Sequence, residues 1–382
     1  MKFDVSVIIP SYNSKAFIKP CVDSILNQTL KSVEVIVVDD CSTDDSFEVC
    51  QSLYGTNERV QLIRQPENAG PGEARNTGIK KARGTYINFC DSDDEMLPEM
   101  LGTMFATAQE YDADIPHNTH IKLLLPPDGN MPAEMTDPKY SSYLVPIDLD
   151  RNEASRVTGA LGPDLDERFE LWLQHRYHWG VWNKLYKREF LLKNDITFCK
   201  MKLAEDLIFC FTCLMLAKNY VVMPGGWYIY RLTTASFSRQ QKSAGNILKA
   251  VRSQAEAIQN MAMTAEKIPF LKENPVQAER ALNAVFASLE EGFIRPNFQM
   301  VGEEALRQNE AFKEFFAQEF GEKASLVEFL FMELHKNYPA VKDYMGAGAD
   351  PDTWKKVRSE LDEAAKSGQD FNLMETIDQG IK

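Results

Sequence analysis

The 382-residue sequence lacks any apolar run approaching the roughly 18 residues that a membrane-spanning helix requires. It also lacks a secretory start. Met1 and Lys2 lead straight into "FDVSVIIP", which carries Asp4 and ends on Pro10, with no apolar core and cleavage site. Positive charge is in deficit: 42 Lys and Arg stand against 56 Asp and Glu, a formal net charge of −14. That balance speaks against a general nucleic-acid binder. An anionic substrate would meet a repulsive overall field unless local cations or a metal reverse it. The seven cysteines have neither an even count nor framework spacing, so a reducing cytoplasm is the expected setting. Cys210 and Cys213 form one CxxC inside the apolar stretch "LIFCFTCLMLA". Without a second pair or paired histidines, they read as two small buried hydrophobes and not as a zinc or redox site. No GxGxxG follows the first apolar run, which disfavours a dinucleotide-dependent oxidoreductase.

What is present is an alternation. Val5–Pro10, Val33–Val38, Val60–Ile63 and Thr85–Cys90 are short β-rich runs, separated by helical patterns over Ala16–Leu30, up to Leu53, and through Lys81. Near-continuous apolar strands alternating with helices predict a mostly parallel α/β sheet covered on both faces. Ligands bind such sheets outside the carboxyl ends of the strands. Three polar loops fall at that edge: "SYNS", "DDCSTDD" and "DSDDE". Ser42, Thr43 or Asp44 is the expected cap of the second helix. Residues 111–170 read as an irregular excursion with an edge hairpin, and helical character returns from Asp164 to Lys193. "KLAEDLIFCFTCLMLAKN" predicts a strong helix and "VVMPGGWYIYR" a strand, turn and strand. Beyond about Arg239 the pattern becomes long amphipathic helices. The expected organisation is therefore an α/β domain over 1–240 and a helical region over 241–382.

The third of those loops carries four carboxylates in five positions, Asp91, Asp93, Asp94 and Glu95. Like charges packed that closely repel, so a cation or full solvation is expected there. The plainer reading is a solvated loop capping a helix, and the surrounding motifs decide against it. "VSVIIPSYNS", "SILNQTL", "EVIVVDDCSTDDS", "NAGPGEARNTGI", "ARGTYINFCDSDD", "WNKLYKREFL" and "AEDLIF" follow one another in an order that resembles family 2 glycosyltransferases, enzymes of the GT-A fold. The resemblance spans roughly residues 4–240. Each motif alone is weak and the ordered set is specific. Cys41 departs from it, standing where the family commonly has Gly, a change the loop should tolerate.

The resemblance implies an inverting, bacterial surface-glycan type of enzyme. It would move a hexose from a nucleotide-sugar donor, UDP-linked as the commonest choice, to a hydroxyl of a glycan or lipid-linked acceptor. Asp91 and Asp93 match the family's DxD element and would hold Mn²⁺ or Mg²⁺. Such hard cations take oxygen ligands, usually one or two carboxylates with phosphates completing the shell. Asp94 would share that task or cap the next helix. Pro10, Tyr12, Asp39 and Asp40 would line the base and ribose pocket; the competing readings are a surface loop residue for Tyr12 and a strand-end turn for the two acids. Arg75 and Asn76 would bind the nucleotide phosphate, or Arg75 would clamp the carboxylates themselves. Asp206 is the expected base, with Glu205 second; the alternative is acids complementing a helix dipole. Trp182, Asn183, Lys184 and Arg231 are candidates for sugar or acceptor contacts. Trp179 reads equally as packing, Ser236 and Ser238 are weaker candidates, and His175 and His178 are candidate third metal ligands.

Two other functions compete. A nucleotidyltransferase would want a Gly-rich, Lys-bearing loop after the first strand, and "SYNS" has neither. A non-catalytic carbohydrate-binding or scaffold protein would be signalled by loss of the DxD or ED acids, and both are present. The helical region is expected to carry a self-association surface, giving a homo-oligomer, and its mixed charge offers no basic stripe for a membrane. A cytoplasmic place follows, with a peripheral position at the inner membrane face as the variant.

Overall fold

Val5–Ser11 (β1) and Val33–Asp39 (β2) are buried along nearly every residue, which requires cover on both faces of their sheet. In the computed structural model, which describes residues 2–124, 159–177, 179–201, 203–231 and 243–321 with isolated positions at 324 and 331–332, that cover is helical. The helices are Ile18–Leu26 (α1), Ser46–Tyr54 (α2) and Pro71–Lys81 (α3), alternating with Val60–Arg64 (β3) and Tyr86–Phe89 (β4). Glu95–Met96 (β5), Met100–Glu110 (α4) and Ile115–Leu124 (β6) follow. Then come Gly159–Ala160 (β7), Leu165–Leu173 (α5), Tyr186–Lys187 (β8), Arg188–Lys193 (α6), Glu205–Leu216 (α7) and Tyr220–Arg231 (β9).

The main sheet has the order β3-β2-β1-β4-β8. Its first four strands are parallel, with Val5 opposite both Val33 and Tyr86, and β8 runs antiparallel to β4. From β1 the chain winds outward to β2 and β3 on one side, and returns to β4 on the other. That reversal sets the carboxyl ends of β1 and β4 side by side, at the edge where such sheets bind ligands. α3 lies very close to β1: a Cβ on Gly78 would stand 2.3 Å from Ile8 Cγ2.

A smaller sheet, β5-β9-β6 with β7 paired to β9, stands behind the acidic loop. The expected turn inside "VVMPGGWYIYR" does not form. β6 pairs with β9 from Ile115–Tyr220 through to Leu124–Arg231, and the PGG stretch is absorbed as register shifts around Asn118–Ile121. A bulge keeps the ladder on both sides where a turn would sacrifice it. Two more expectations change. Residues 115–124 form the bulged strand β6 after a short turn, and residues 125–158 of the expected excursion lie outside the described residues. Helix is interrupted between α5 and α6, where His175 at φ 56° ends α5 and aromatic residues enter the core.

The chain divides into two compact units, one of 1–240 with 259–274, the other of 241–258 with 275–382. The described part of the second unit is helical. It comprises the first stretch of Ala244–Ala265 (α8), then Pro275–Leu289 (α10), a π-helical turn at Glu290–Ile294, Arg295–Val301 (α11), Glu303–Arg307 (α12) and Glu310–Phe320 (α13). Pro269–Glu273 (α9) belongs to the first unit. The second unit's core gathers Ile247, Ile294, Phe298, Leu306, Phe312 and Phe316.

Candidate active site

The loops after β1 and β2 are stitched together by Asn13. Its Oδ1 accepts from the Thr43 and Asp44 amides at 2.9 and 3.3 Å, and its own N–H donates to Ser42 Oγ at 3.0 Å. Tyr12 projects from this stitched edge, 48% exposed. Pro10 and Ser11 precede it on β1, with Ser11 in register with Asp39. Asp39 is buried. Its Oδ2 accepts from Ser42 N–H at 3.1 Å and lies 3.5 Å from Arg64 Nε, while its buried Oδ1 has no hydrogen-bond partner. An orphaned buried carboxylate oxygen is costly unless a ligand completes it.

Asp40 has a different task from the one expected. Its Oδ1 accepts from Gln65 Nε2 at 2.7 Å and Ala69 N–H at 2.9 Å, and its Oδ2 from Gly70 N–H at 2.8 Å. It pins the loop that opens α3. The helix-cap expectation is also corrected. The residue preceding α2 is Asp45, without a side-chain cap, and of the three candidates only Asp44 serves the helix start, accepting from Ser46 N–H at 3.0 Å.

The acidic cluster is answered first by arginine. Arg75, buried on α3, donates from Nη2 to Asp91 Oδ1 at 2.9 Å and from Nη1 to Glu205 Oε1 at 2.8 Å. Burial opposes its charge, but Asp91, Glu205 and Asp206 outweigh burial and raise the guanidinium above its ordinary range. Arg75 thus pairs with carboxylates of both acidic motifs. Asn76 faces elsewhere: it exchanges hydrogen bonds with the Phe198 backbone at 2.9 and 2.8 Å.

Asp94 caps no helix, because a strand (β5) follows it. It is buried, accepting from Tyr228 Oη at 2.6 Å and from Arg231 N–H at 2.7 Å. Burial and the neighbouring Asp91 and Asp93 push its carboxyl well above the usual range. Arg231 turns onto the acidic loop, donating to the Asp93 carbonyl at 2.9 Å and pairing with Glu95. Tyr228 is the residue that sequence reasoning passed over. It lies three positions before Arg231 in "YIYR", and the available signal was the alternation of Tyr228 and Tyr230 on one face of a strand.

At the start of α7, Ala204 takes a left-handed conformation, φ 67° and ψ 18°, which a side chain adopts only under strain. Glu205 and Asp206 follow it. Glu205 is held by Arg75, whereas Asp206 stays partly open and accepts from Leu207 N–H at 2.8 Å. Burial and then the Glu205 charge raise the Asp206 carboxyl to about 7, against the pull of Arg75. Dipole complementation alone would not leave an acid in that range.

Trp182 is buried and stacks on Tyr228 with centroids 4.4 Å apart and planes at 12°. Asn183 and Lys184 are inside the protein, not at an open surface. Lys184, 1% exposed, donates to Gly180 O at 2.7 Å and Asn183 Oδ1 at 2.8 Å, and Asn183 donates to Asn118 O at 2.8 Å. Trp179 is exposed and His175 lies exposed after α5. His178, Ser236 and Ser238 lie outside the described residues. Among the described residues no three His, Cys, Asp or Glu side chains group to hold a metal. The donors present, Asp91 and Asp93 at the end of β4, fit a cation that brings its remaining oxygens with a diphosphate.

Against known proteins, the family profile described as Glycosyl transferase family 2 matches residues 6–122. An uncharacterized glycosyltransferase of Bacillus subtilis (strain 168), EpsJ, is 34% identical over 228 residues, 59% of this chain and 60% of that protein. An uncharacterized glycosyltransferase of Escherichia coli (strain K12), YibD, is 30% identical over 254 residues, 65% of this chain and 67% of that protein. The chain belongs to glycosyltransferase family 2. It spans 60% of the length of the Bacillus relative. The GT-A fold is shared with S. aureus TarS (residues 1–349, crystallised with UDP-GlcNAc), at TM-score 0.56 and 22% identity over 97% of this chain and 93% of that one. In this family member the departure at Cys41 has a visible cost. Its φ is 61°, a conformation that Gly adopts freely and that costs another residue on the order of 1 kcal/mol. The loop accommodates it.

Proposed function

We propose that this family member is an inverting glycosyltransferase, taking a hexose from a nucleoside-diphosphate sugar to a hydroxyl of a glycan or lipid-linked acceptor of a surface polysaccharide. The observation that carries the reading is the constellation tied by Arg75. One guanidinium joins Asp91 of the acidic loop to Glu205, and so sets the neighbouring Asp206 on the same helix end. In this reading the acceptor hydroxyl attacks the anomeric carbon as the bond from that carbon to the diphosphate oxygen breaks. Asp206 takes the hydroxyl proton, and its carboxyl, raised to about 7, is matched to that task near neutral pH. A divalent cation held by Asp91 and Asp93 would supply charge neutralisation to the departing diphosphate. Asp39, with its orphaned buried oxygen, and Tyr12, with its exposed ring, would meet the base and ribose, while Asp40 and Arg75 hold the loops around them. Trp182 and Arg231 would act on the sugar side through the loop they brace.

UDP is the first nucleotide to ask about, being the family's commonest choice and the one crystallised with TarS. Residues 1–240 would carry the chemistry and 241–382 a self-association surface, in a cytoplasmic protein. No helix among the described residues is long and apolar enough to cross a membrane. The test is calorimetry of UDP, GDP and CDP, each with and without Mn²⁺, on wild type and Asp93→Asn. We expect one nucleotide to bind tightly with Mn²⁺ and the Mn²⁺-dependent gain to vanish in Asp93→Asn. Absence of binding by all three, with or without the metal, would sink the donor site and favour a non-catalytic protein on this fold.

A further inference from the structure

Four acids in five positions should push the loop 91–95 apart, yet it is folded into a closed turn. The Asp94 N–H donates to the Asp91 carbonyl at 3.1 Å, and the thiols of Cys21 and Cys90 approach the same carbonyl at 3.5 and 3.6 Å. A single hydroxyl completes the turn. Tyr228 Oη donates to Asp94 Oδ2 at 2.6 Å and accepts from the Asp91 N–H at 3.2 Å, so it joins the first and last residues of "DSDD".

The phenol is placed there by its surroundings. Its strand pairs with the loop's exit, Met96 opposite Tyr228 and Glu95 opposite Ile229, and the Leu97 N–H donates to Trp227 O at 2.7 Å. The ring is wholly buried and lies flat on Trp182. A phenylalanine would fill the same volume and keep the same stack. Packing therefore explains the ring and not the hydroxyl, which loses its water on burial and regains that loss only through its two bonds to the loop.

We propose that Tyr228 is a positioning residue for the donor site: its hydroxyl, seated by Trp182, closes the Asp91–Asp94 turn and holds Asp91 and Asp93 ready for a cation and a diphosphate. The inference rests on the donor-site reading above. A turn ordered before the ligand arrives does not have to be ordered by it, and ligand affinity gains accordingly. The base-binding edge around Asn13 and Asp39 involves other loops, so nucleotide binding without metal should not sense the hydroxyl.

Calorimetry of UDP on the full chain, with and without Mn²⁺, separates the roles, with the thermal midpoint measured beside it. In Tyr228→Phe we expect UDP alone to bind as in wild type, and the gain in affinity from Mn²⁺ to shrink by up to about tenfold, as loss of one buried hydrogen bond implies. Asp94→Ala removes the bridge from its other end and should reproduce that pattern, which keeps the question open to test if Tyr228→Phe does not fold. An undiminished Mn²⁺ gain in either folded variant overturns the inference, and so does an equal weakening with and without the metal, because that is the mark of general loosening. Wild type binding none of UDP, GDP and CDP in either condition overturns the donor-site reading first, and this inference with it; where GDP or CDP is the nucleotide bound, it takes the place of UDP in this test.

Discussion

Asp206 stands two residues after the strained Ala204, with its carboxyl raised to about 7 chiefly by burial and by Glu205, while Arg75 pulls the other way. A base must be unprotonated to accept the acceptor's proton. The rate should therefore rise with pH through about 7 and level off above it. Asp206→Asn should lower kcat by about 10²- to 10⁴-fold, the usual weight of a positioned base, with donor KM nearly unchanged. Steady-state nucleotide release from the donor selected by calorimetry measures both. A rate that stays flat from about pH 5.5 to about pH 8.5 would remove Asp206 from the role. Asp40 teaches a different lesson at this scale. It sits beside Asp39 in the sequence and looks equivalent to it, yet its oxygens are taken up by Gln65, Ala69 and Gly70, while one buried oxygen of Asp39 has no hydrogen-bond partner.

Among the elements, α3 does most to assemble the site. Its first turn is set by Asp40, its Arg75 reaches both acidic motifs, and Asn76 fastens the segment at Phe198. It does so because Gly78 carries no side chain and lets α3 lie directly on Ile8 of β1. Adding one methyl there would bring Cβ within 2.3 Å of Ile8 Cγ2 in a core with no room to give. Gly78→Ala should cost about 1–3 kcal/mol of stability, read by denaturant midpoint, and should weaken nucleotide binding as Arg75 moves with the helix. Unchanged stability would mean that α3 is free to shift. The strand β9 plays the corresponding part from the other side of the acidic loop. Its bulge preserves pairing with β6 over the whole length, and thereby brings Tyr228 and Arg231 to the loop.

For the whole molecule, the raised carboxyls of Asp206 and Asp94 have a consequence for stability. A folded-state value above the ordinary 3.8 means that the folded chain holds protons which the unfolded chain releases. That contribution is fully present below about 4 and is lost as pH rises, for Asp206 through about 7. A net charge of −14 adds repulsion in the same direction. The thermal midpoint without nucleotide or metal should therefore fall from about pH 5 to about pH 8. A midpoint that rises across that range would contradict the assigned shifts. The parallel α/β alternation, the polar loops at the strand ends and the family's motifs in their order were all legible in the chain before it was folded. Those are local signals, carried by runs of Val and Ile and by neighbouring residues. Which of the polar groups are used inside the protein was not legible there. Arg75 and Glu205 are 130 positions apart, and Tyr228 and Asp94 are 134 apart. Asn183 and Lys184 looked available and are buried. These roles came from the folded arrangement alone, because a polar side chain acts through whatever the fold brings to it once water has been removed.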